Sequence, residues 1–127
     1  PMMDKKQAMM VLRAFGKAFN KGDVDAILEC VTDDFEWRLA EGEEAPDGKI
    51  VKGKEAVRAA LKDRDRATKF MRFSETSVHF ADDSVIGCFR ATGELADGTK
   101  IDQRGVDIYE FQGGKIAVKD SYWKRII

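Results

Sequence analysis

The residues that hold metals and disulfides are scarce in this sequence. Among its 127 residues there are two cysteines, Cys30 and Cys88, and one histidine, His79. The cysteines form no CxxC motif, so a zinc site held by the protein is not expected. We predict that both are reduced thiols that fill the core of a cytoplasmic protein.

Long apolar runs, a basic excess and cofactor-binding motifs are also missing. No apolar stretch approaches the ~18 residues that a membrane-spanning helix needs. The 22 basic and 23 acidic residues give a net charge of −1 without a basic stripe, so nucleic acid is not an expected partner. No GxSxG, P-loop or GxGxxG sequence is present. We therefore predict a small protein with no cofactor, membrane segment or nucleic-acid site.

Apolar spacing in the first half of the chain predicts mainly helices. Residues 5–20 repeat apolar side chains at i, i+3, i+4 and i+7, which form one face of a helix. Asp23 is suited to cap a second helix. The predicted elements are a helix over 5–20, a short helix over 23–31, a strand over 35–39, a short strand at 50–51 and a helix over 53–65.

After Ala67 the apolar spacing changes to a period of two, which is typical of strands. Asp97-Gly98 and Gly113-Gly114 are strong turn signals between them. The predicted strands cover 69–80, 84–95, 99–111 and 115–126. Because helices come first and strands follow, we predict an α+β fold with a four-strand antiparallel meander in one domain.

The last hairpin brings two carboxylates together if its turn has two residues. With the glycines 113–114 in the turn, Asp107 faces Asp120, and Tyr109 lies on the same face. Side chains directly opposite each other have Cβ atoms roughly 4.5–5.5 Å apart, so like charges there need a cation, a shared proton or water. This pair is therefore the first candidate for a functional site.

An arginine is predicted beside the two aspartates. If residues 97–98 form a two-residue turn, Arg90 faces Gly105. Arg90 is then a diagonal neighbour of Asp107 and could neutralise it. Arg104 is the alternative partner, because a β-bulge at Gly105 would turn it to the same face.

The order of elements and four short motifs resemble the NTF2-like superfamily, which includes SnoaL-like and ketosteroid-isomerase-like proteins. The motifs are residues 19–23 (FNKGD), 33–37 (DDFEW), 53–57 (GKEAV) and 104–116 (RGVDIYEFQGGKI). The resemblance implies that residues 1–127 form one such domain. It also implies a cone-shaped, curved antiparallel sheet that wraps around the first helix and encloses an apolar pocket.

Limonene-epoxide-hydrolase-like members of the superfamily use two aspartates and an arginine on the last strands. Asp107 and Asp120 look like those aspartates, while the position of the family's arginine holds Gly105. The tyrosine and asparagine that hold water in that family would fall near Trp37 and Leu39. Ketosteroid-isomerase-like members carry an aspartate near the position of Leu39. The resemblance therefore supports two aspartates without specifying epoxide or steroid chemistry.

We predict a small cofactor-independent enzyme, acting as an isomerase, lyase, cyclase or hydrolase on an apolar or polycyclic molecule. Asp107 and Asp120 would divide the roles of general base and general acid, because close like charges push two pKa values apart. Arg90 would be their cation. Three alternatives stay open. The aspartates could form a structural network with Arg90 or Lys124, a register slip could send one of them to solvent, or the chain could be a non-catalytic small-molecule-binding or dimeric scaffold protein of the same fold.

Aromatic side chains are candidates for the pocket wall, although the same spacings also suit core residues. The predicted wall residues are Phe15, Trp37, Tyr109 and Tyr122. His79 could be a second base near the pocket. Trp123 falls on the face opposite Tyr122, and an exposed tryptophan on the outer sheet face would suit a homodimer.

Overall fold

The computed structural model describes residues 4–127 and has the α+β architecture predicted from the sequence. All the predicted helices and strands are present. No helix within residues 4–127 is long and apolar enough to cross a membrane. The elements are α1 (Lys5–Lys21), α2 (Val24–Glu29), β1 (Val31–Arg38), β2 (Ile50–Lys52), α3 (Lys54–Ala67), β3 (Thr68–Phe80), β4 (Val85–Leu95), β5 (Lys100–Gln112) and β6 (Lys115–Trp123).

Side-chain caps determine where the first two helices begin. Asp4 accepts two backbone N–H groups from the first turn of α1, at 3.0 and 3.2 Å. Asp23 caps α2 in the same way, with one bond of 3.1 Å. Gly22 ends α1 with a φ of 68°, which glycine adopts without strain. The helix residues that share one buried core with the sheet are Ala8, Phe15, Ala18, Ile27, Leu28, Val57 and Leu61.

The six strands form one curved, unclosed sheet in the order β2-β1-β6-β5-β4-β3. Strands β3 to β6 are the predicted antiparallel meander. Strand β1 lies parallel to β6, so the sheet is mostly antiparallel with one parallel pair. No hairpin joins these two strands, so nothing forces them to run antiparallel, and β1 covers the open edge of β6.

A β-bulge at Ala117 sets the register of the last hairpin. Phe111 pairs with Ile116 as predicted, but Glu110 then pairs with Val118, so Ala117 is an extra residue on β6. Beyond the bulge every partner is shifted by one residue. Because strand side chains alternate, this shift exchanges the two faces of the strand.

The shift separates the two aspartates. Asp107 pairs with Ser121, whereas Asp120 pairs with Ile108 and lies on the opposite face of the sheet. The predicted opposition of Asp107 and Asp120 is therefore wrong. It assumed regular alternation along the whole of β6, and the bulge interrupts that alternation.

The turn between β4 and β5 has three residues rather than the two predicted. A backbone hydrogen bond of 2.9 Å closes it around residues 96–98, and Gly98 has a φ of 91°. Arg90 consequently pairs with Arg104, and the predicted pairing of Arg90 with Gly105 is wrong. The error has the same effect as the bulge, because one extra turn residue changes the face of every side chain beyond it.

Candidate functional site

Asp107 is a buried carboxylate on the face of the sheet that packs against the helices, and it is 7% exposed. Ser121 Oγ donates to its Oδ1 at 2.6 Å, and the Tyr109 hydroxyl donates to its Oδ2 at 3.2 Å. Lys119 Nζ lies 4.0 Å from the same Oδ2. A carboxylate this deeply buried needs such partners, because an isolated charge is very costly to remove from water.

Lys119 lies beside Asp107 and is itself only 8% exposed. Its Nζ lies 4.2, 5.4 and 5.7 Å from the ring centroids of Phe19, Trp37 and Phe15. Burial lowers the pKa of Lys119 by more than the charge of Asp107 raises it. Perturbed, buried titratable groups are concentrated at functional sites, so Lys119 becomes a candidate that the sequence had not indicated.

Two further donors near this pair have no acceptor within the described part of the chain. Trp37 is 6% exposed, and its indole N–H has no hydrogen-bond partner among residues 4–127. Arg64 lies beside the perpendicular pair of rings formed by Phe19 and Phe73, with 5.6 Å from its guanidinium carbon to each centroid. Burial lowers the pKa of Arg64, and the charge of Asp107 opposes this, so Arg64 and the buried pair influence each other electrostatically.

Tyr109 donates to Asp107 as a neutral phenol. Burial, followed by the charge of Asp107, raises the pKa of Tyr109 well above its ordinary value. The ring packs edge-on against Phe15, with 6.1 Å between the two centroids. Tyr109 is therefore a fixed hydrogen-bond donor that holds the carboxylate in place.

The other predicted catalytic residues lie on the outer face of the sheet. Asp120 accepts a hydrogen bond of 3.1 Å from the Tyr122 hydroxyl and lies 3.7 Å from Arg38. Arg90 binds both carboxylate oxygens of Asp102, each at 2.8 Å. The predicted two-aspartate site with Arg90 as its cation is therefore not formed.

Arg104 and His79 are also outside the cluster. Arg104, the alternative cation, donates to Glu75 at 3.0 Å on the outer face. His79 lies on that face too, exposed, with its Nε2 3.3 Å from Ser77 Oγ. The cation beside Asp107 is Lys119, which takes the place that the sequence had assigned to an arginine.

The predicted wall residues divide between the two faces of the sheet. Those in the buried core are Phe15, Trp37 and Tyr109. Tyr122 is 56% exposed on the outer face, so its predicted position in the pocket is wrong. Trp123 packs inside, edge-on to Phe73 and Phe89 with centroid distances of 6.2 and 5.6 Å, which reverses its predicted exposure. The bulge at Ala117 explains both reversals.

A cavity of about 190 Å³ opens next to the buried cluster, between α1, α3 and the start of β3. Phe19 and Arg64 both line it. The ring of Phe19 also contacts the ammonium of Lys119, so the same side chain touches the cavity and the buried pair. Asp107, Lys119 and Trp37 are not part of the lining of this cavity.

The cluster combines one strong acceptor with several donors. Asp107 can accept a proton, while the ammonium of Lys119 and the N–H of Trp37 can stabilise negative charge on an oxygen. Within residues 4–127 no three His, Cys, Asp or Glu side chains are grouped closely enough to hold a metal ion. The residues present are suited to proton transfer and to the binding of an oxyanion.

Sequence reasoning missed Lys119 and Arg64, although each left a signal. Ile116 and Trp123 are both apolar but seven residues apart, so they can share one face only if a bulge lies between them. Arg64 lies seven residues after Val57 on α3, at a spacing that continues the apolar face. A charged residue on the apolar face of a helix is expected to have a functional or structural partner.

The fold and its polar interior define an NTF2-like protein. The model of the SnoaL-like domain family matches residues 12–119, which is most of the chain. The protein therefore belongs to the SnoaL-like family, as the resemblance implied. None of the curated proteins matches the sequence.

Solved structures share this fold at low sequence identity. Bal32a, from a soil-derived mobile gene cassette, is 24% identical with a TM-score of 0.79, over 93% of this chain and 89% of that chain. A proposed polyketide cyclase from Pseudomonas putida KT2440 is 22% identical with a TM-score of 0.78, over 90% and 89%. RV0760c from Mycobacterium tuberculosis, in complex with estradiol-17beta-hemisuccinate, is 24% identical with a TM-score of 0.74, over 93% and 94%. These identities establish the fold alone.

Proposed function

We propose that the protein is a cofactor-independent acid–base enzyme for a small, largely apolar carbonyl compound. In this reaction Asp107 takes a proton from the carbon next to the carbonyl group. Lys119 and the indole N–H of Trp37 stabilise the negative charge that develops on the carbonyl oxygen. The observation that carries the proposal is the buried ion pair of Asp107 and Lys119, 4.0 Å apart, beside a buried N–H that has no acceptor among residues 4–127.

The magnitudes favour chemistry over stability as the role of this pair. Burying two opposite charges usually contributes little to stability, since the cost of removing them from water rivals their attraction. A placed base typically contributes ~10²–10⁴-fold in rate, and one oxyanion donor a further ~10²–10³-fold. The same low-dielectric surroundings that make the pair costly would strengthen its interaction with a developing charge.

Access to the pair would require a movement of Phe19. This ring lies against Lys119 and also lines the cavity, at the end of α1 where the helix terminates at Gly22. The ring is half-buried and packs edge-on against Phe15, Trp37 and Phe73, with centroid distances of 4.9, 6.2 and 6.3 Å, so this movement would have to break those contacts. The aromatic residues around Lys119 would then contact the apolar body of the substrate.

The relatives support a small-molecule role in general terms. One structural neighbour is a proposed polyketide cyclase, and another binds a steroid derivative. Both are consistent with an apolar or polycyclic ligand, which is the partner expected from the sequence. The proposal of proton-transfer chemistry rests on the polar groups of this chain's interior and not on these relatives.

The test is exchange of the hydrogens next to a carbonyl group, followed by proton NMR in D₂O with a panel of cyclic and aryl ketones. We expect the wild-type protein to accelerate loss of the α-proton signal for at least one ketone, and Asp107→Asn to reduce that rate by ~10²-fold or more. Asp120→Asn is the matched control, because it makes the same change on the outer face. Equal losses in both variants, or exchange that survives Asp107→Asn, would refute the proposal.

A non-catalytic binder is the second candidate function, and one observation favours it. Asp107 already accepts two hydrogen bonds and has Lys119 beside it, so its role could be complete without a substrate. A binder would be stabilised against unfolding by ketones or polycyclic ligands and would never accelerate exchange. Thermal unfolding with the same panel separates the two functions.

The homodimer and the cytoplasmic location stay predictions. If the outer sheet face pairs two copies, Tyr122 rather than Trp123 is the exposed aromatic residue at its centre. A groove of about 450 Å³ on this part of the sheet is lined in part by Tyr122, Val106 and Cys88.

A further inference from the structure

Arg64 differs from the neighbouring arginines of α3 in forming no ion pair within the described part of the chain. Arg58 binds Asp25 at 2.7 Å, and Arg66 binds Asp63 at 2.8 Å. Within residues 4–127 the guanidinium of Arg64 makes neither an ion pair nor a side-chain hydrogen bond. A guanidinium carries five N–H donors and stays charged in proteins, so its donors remain available to an anion.

Two aromatic rings lie against one side of Arg64. Phe19 and Phe73 form a perpendicular pair with centroids 6.3 Å apart, and each centroid is 5.6 Å from the guanidinium carbon. Cation–π contacts of this kind restrict a guanidinium and reduce the entropy that it loses on binding an anion. Arg64 also lines the cavity of about 190 Å³ described above.

The charges around this cavity point to an anion. The charged residues of its lining are Lys21, Arg64, Asp65 and Lys69, so positive charge exceeds negative charge. Lys69 lies 3.5 Å from Glu94, which Lys100 contacts as well. Arg64 is the cation of the lining that forms no ion pair within residues 4–127 and also contacts the aromatic rings. A carboxylate carries one negative charge and matches the guanidinium fork, whereas a phosphate monoester carries about −1.5 to −2 at neutral pH.

We propose that Arg64 binds a carboxylate group of the substrate inside this cavity. This assignment rests on the proposed function. It extends that proposal by adding an anionic group to the carbonyl compound that Asp107 would deprotonate. The substrate class becomes a small oxo acid or a carboxylate-bearing ketone. Its charged end lies at Arg64, and its carbonyl end reaches past Phe19 to Lys119.

Binding of two nearly isosteric probes tests the proposal without turnover. Phenylacetate and phenylacetamide differ mainly in charge, and their dissociation constants can be measured by NMR titration. We expect phenylacetate to bind the wild-type protein at least about tenfold more tightly than the amide. Arg64→Met should weaken phenylacetate binding by roughly 10- to 150-fold, as expected when charge-assisted hydrogen bonds are lost, and change amide binding less than about twofold.

Arg66→Met is the matched control, because it removes the same group from an exposed position of the same helix. It should leave both dissociation constants unchanged. Arg64→Lys keeps the charge but loses the planar fork, so it should recover only part of the affinity. If Arg64→Met does not fold, the comparison of acid and amide on the wild-type protein still decides the question.

Three results would overturn the assignment. They are equal affinity for acid and amide, no binding of phenylacetate, and tighter binding of phenyl phosphate than of phenylacetate. Failure of the proposed function is seen separately, as α-proton exchange that does not depend on Asp107. Phenylacetate binding that requires Arg64 would stand even then, as an anion site in a protein that does not catalyse exchange.

Discussion

Removing either charge of the buried pair should destabilise the protein, while removing both should restore most of the loss. Lys119 Nζ and Asp107 Oδ2 are 4.0 Å apart, and their side chains are only 10% and 9% exposed. At that distance, with an effective dielectric constant of about 20, the attraction is about 4 kcal/mol. Either single substitution leaves one buried charge without its partner.

The expected values follow from this attraction and from the other contacts of each group. Ser121 and Tyr109 continue to hold Asp107 when Lys119 is replaced, and three aromatic rings continue to surround Lys119 when Asp107 is replaced. We therefore expect Asp107→Asn and Lys119→Met to lower the free energy of unfolding by about 2–3 kcal/mol each. The double variant should lose only about 1–2 kcal/mol, which gives a coupling energy of about 3 kcal/mol.

Urea denaturation followed by tryptophan fluorescence provides these free energies, and equal m-values would show that all four proteins unfold in the same way. The control cycle uses Arg90→Met and Asp102→Asn on the outer face. That pair is closer, at 2.8 Å, but its exposed side chains should couple far more weakly because solvent screens them. Additive losses at Asp107 and Lys119, within about 0.5 kcal/mol, would refute the inference that they form a coupled pair.

Two further predictions concern the pH dependence of stability and the packing of β5. Burial lowers the pKa of Lys119 in the folded state below 10.5, so the folded protein binds fewer protons than the unfolded chain just below pH 10.5. The stability of the wild-type protein relative to Lys119→Met should therefore rise as the pH increases through the folded-state pKa towards 10.5, and a flat or falling difference in urea midpoints would contradict this sign. Gly105→Ala should lower the free energy of unfolding by about 1–3 kcal/mol, because its Cβ would lie 2.6 Å from Phe89 Cζ and 2.9 Å from the Tyr122 carbonyl oxygen. Gly16→Ala, whose Cβ meets no atom within 4 Å, should instead stabilise α1 by about 0.5–1 kcal/mol in the same assay.

The sequence predicted the elements of this fold far better than the faces of its strands. Helices and strands were recognisable because their periodic spacing extends over many residues, so that an error of one residue hardly matters. The face of the sheet on which a side chain lies is harder to predict, because a single extra residue reverses it. Ala117 in β6 and the third residue of the turn at Gly98 are two such extra residues, and both lie next to strands that carry candidate site residues.

Only some of the residues inside the site were predicted, because extra residues reverse the faces of the strands beyond them. Tyr109 was correctly placed beside Asp107, because both lie on β5 with no irregularity between them. Lys119 and Ser121 could not be assigned to this face, since they lie beyond the bulge. Arg64 was not predicted as a site residue, because helical spacing alone does not show that two aromatic rings and a cavity lie next to it.

The bulge at Ala117 also governs how this protein should be aligned with its relatives. A strand with an extra residue and one without it present their inward side chains in different columns of an ungapped alignment. In this chain Asp120 lies on the outer face of the sheet, and the inward positions on either side of it belong to Lys119 and Ser121. Within this family, a residue's role along the last strand can be transferred only after the offset of that strand has been established.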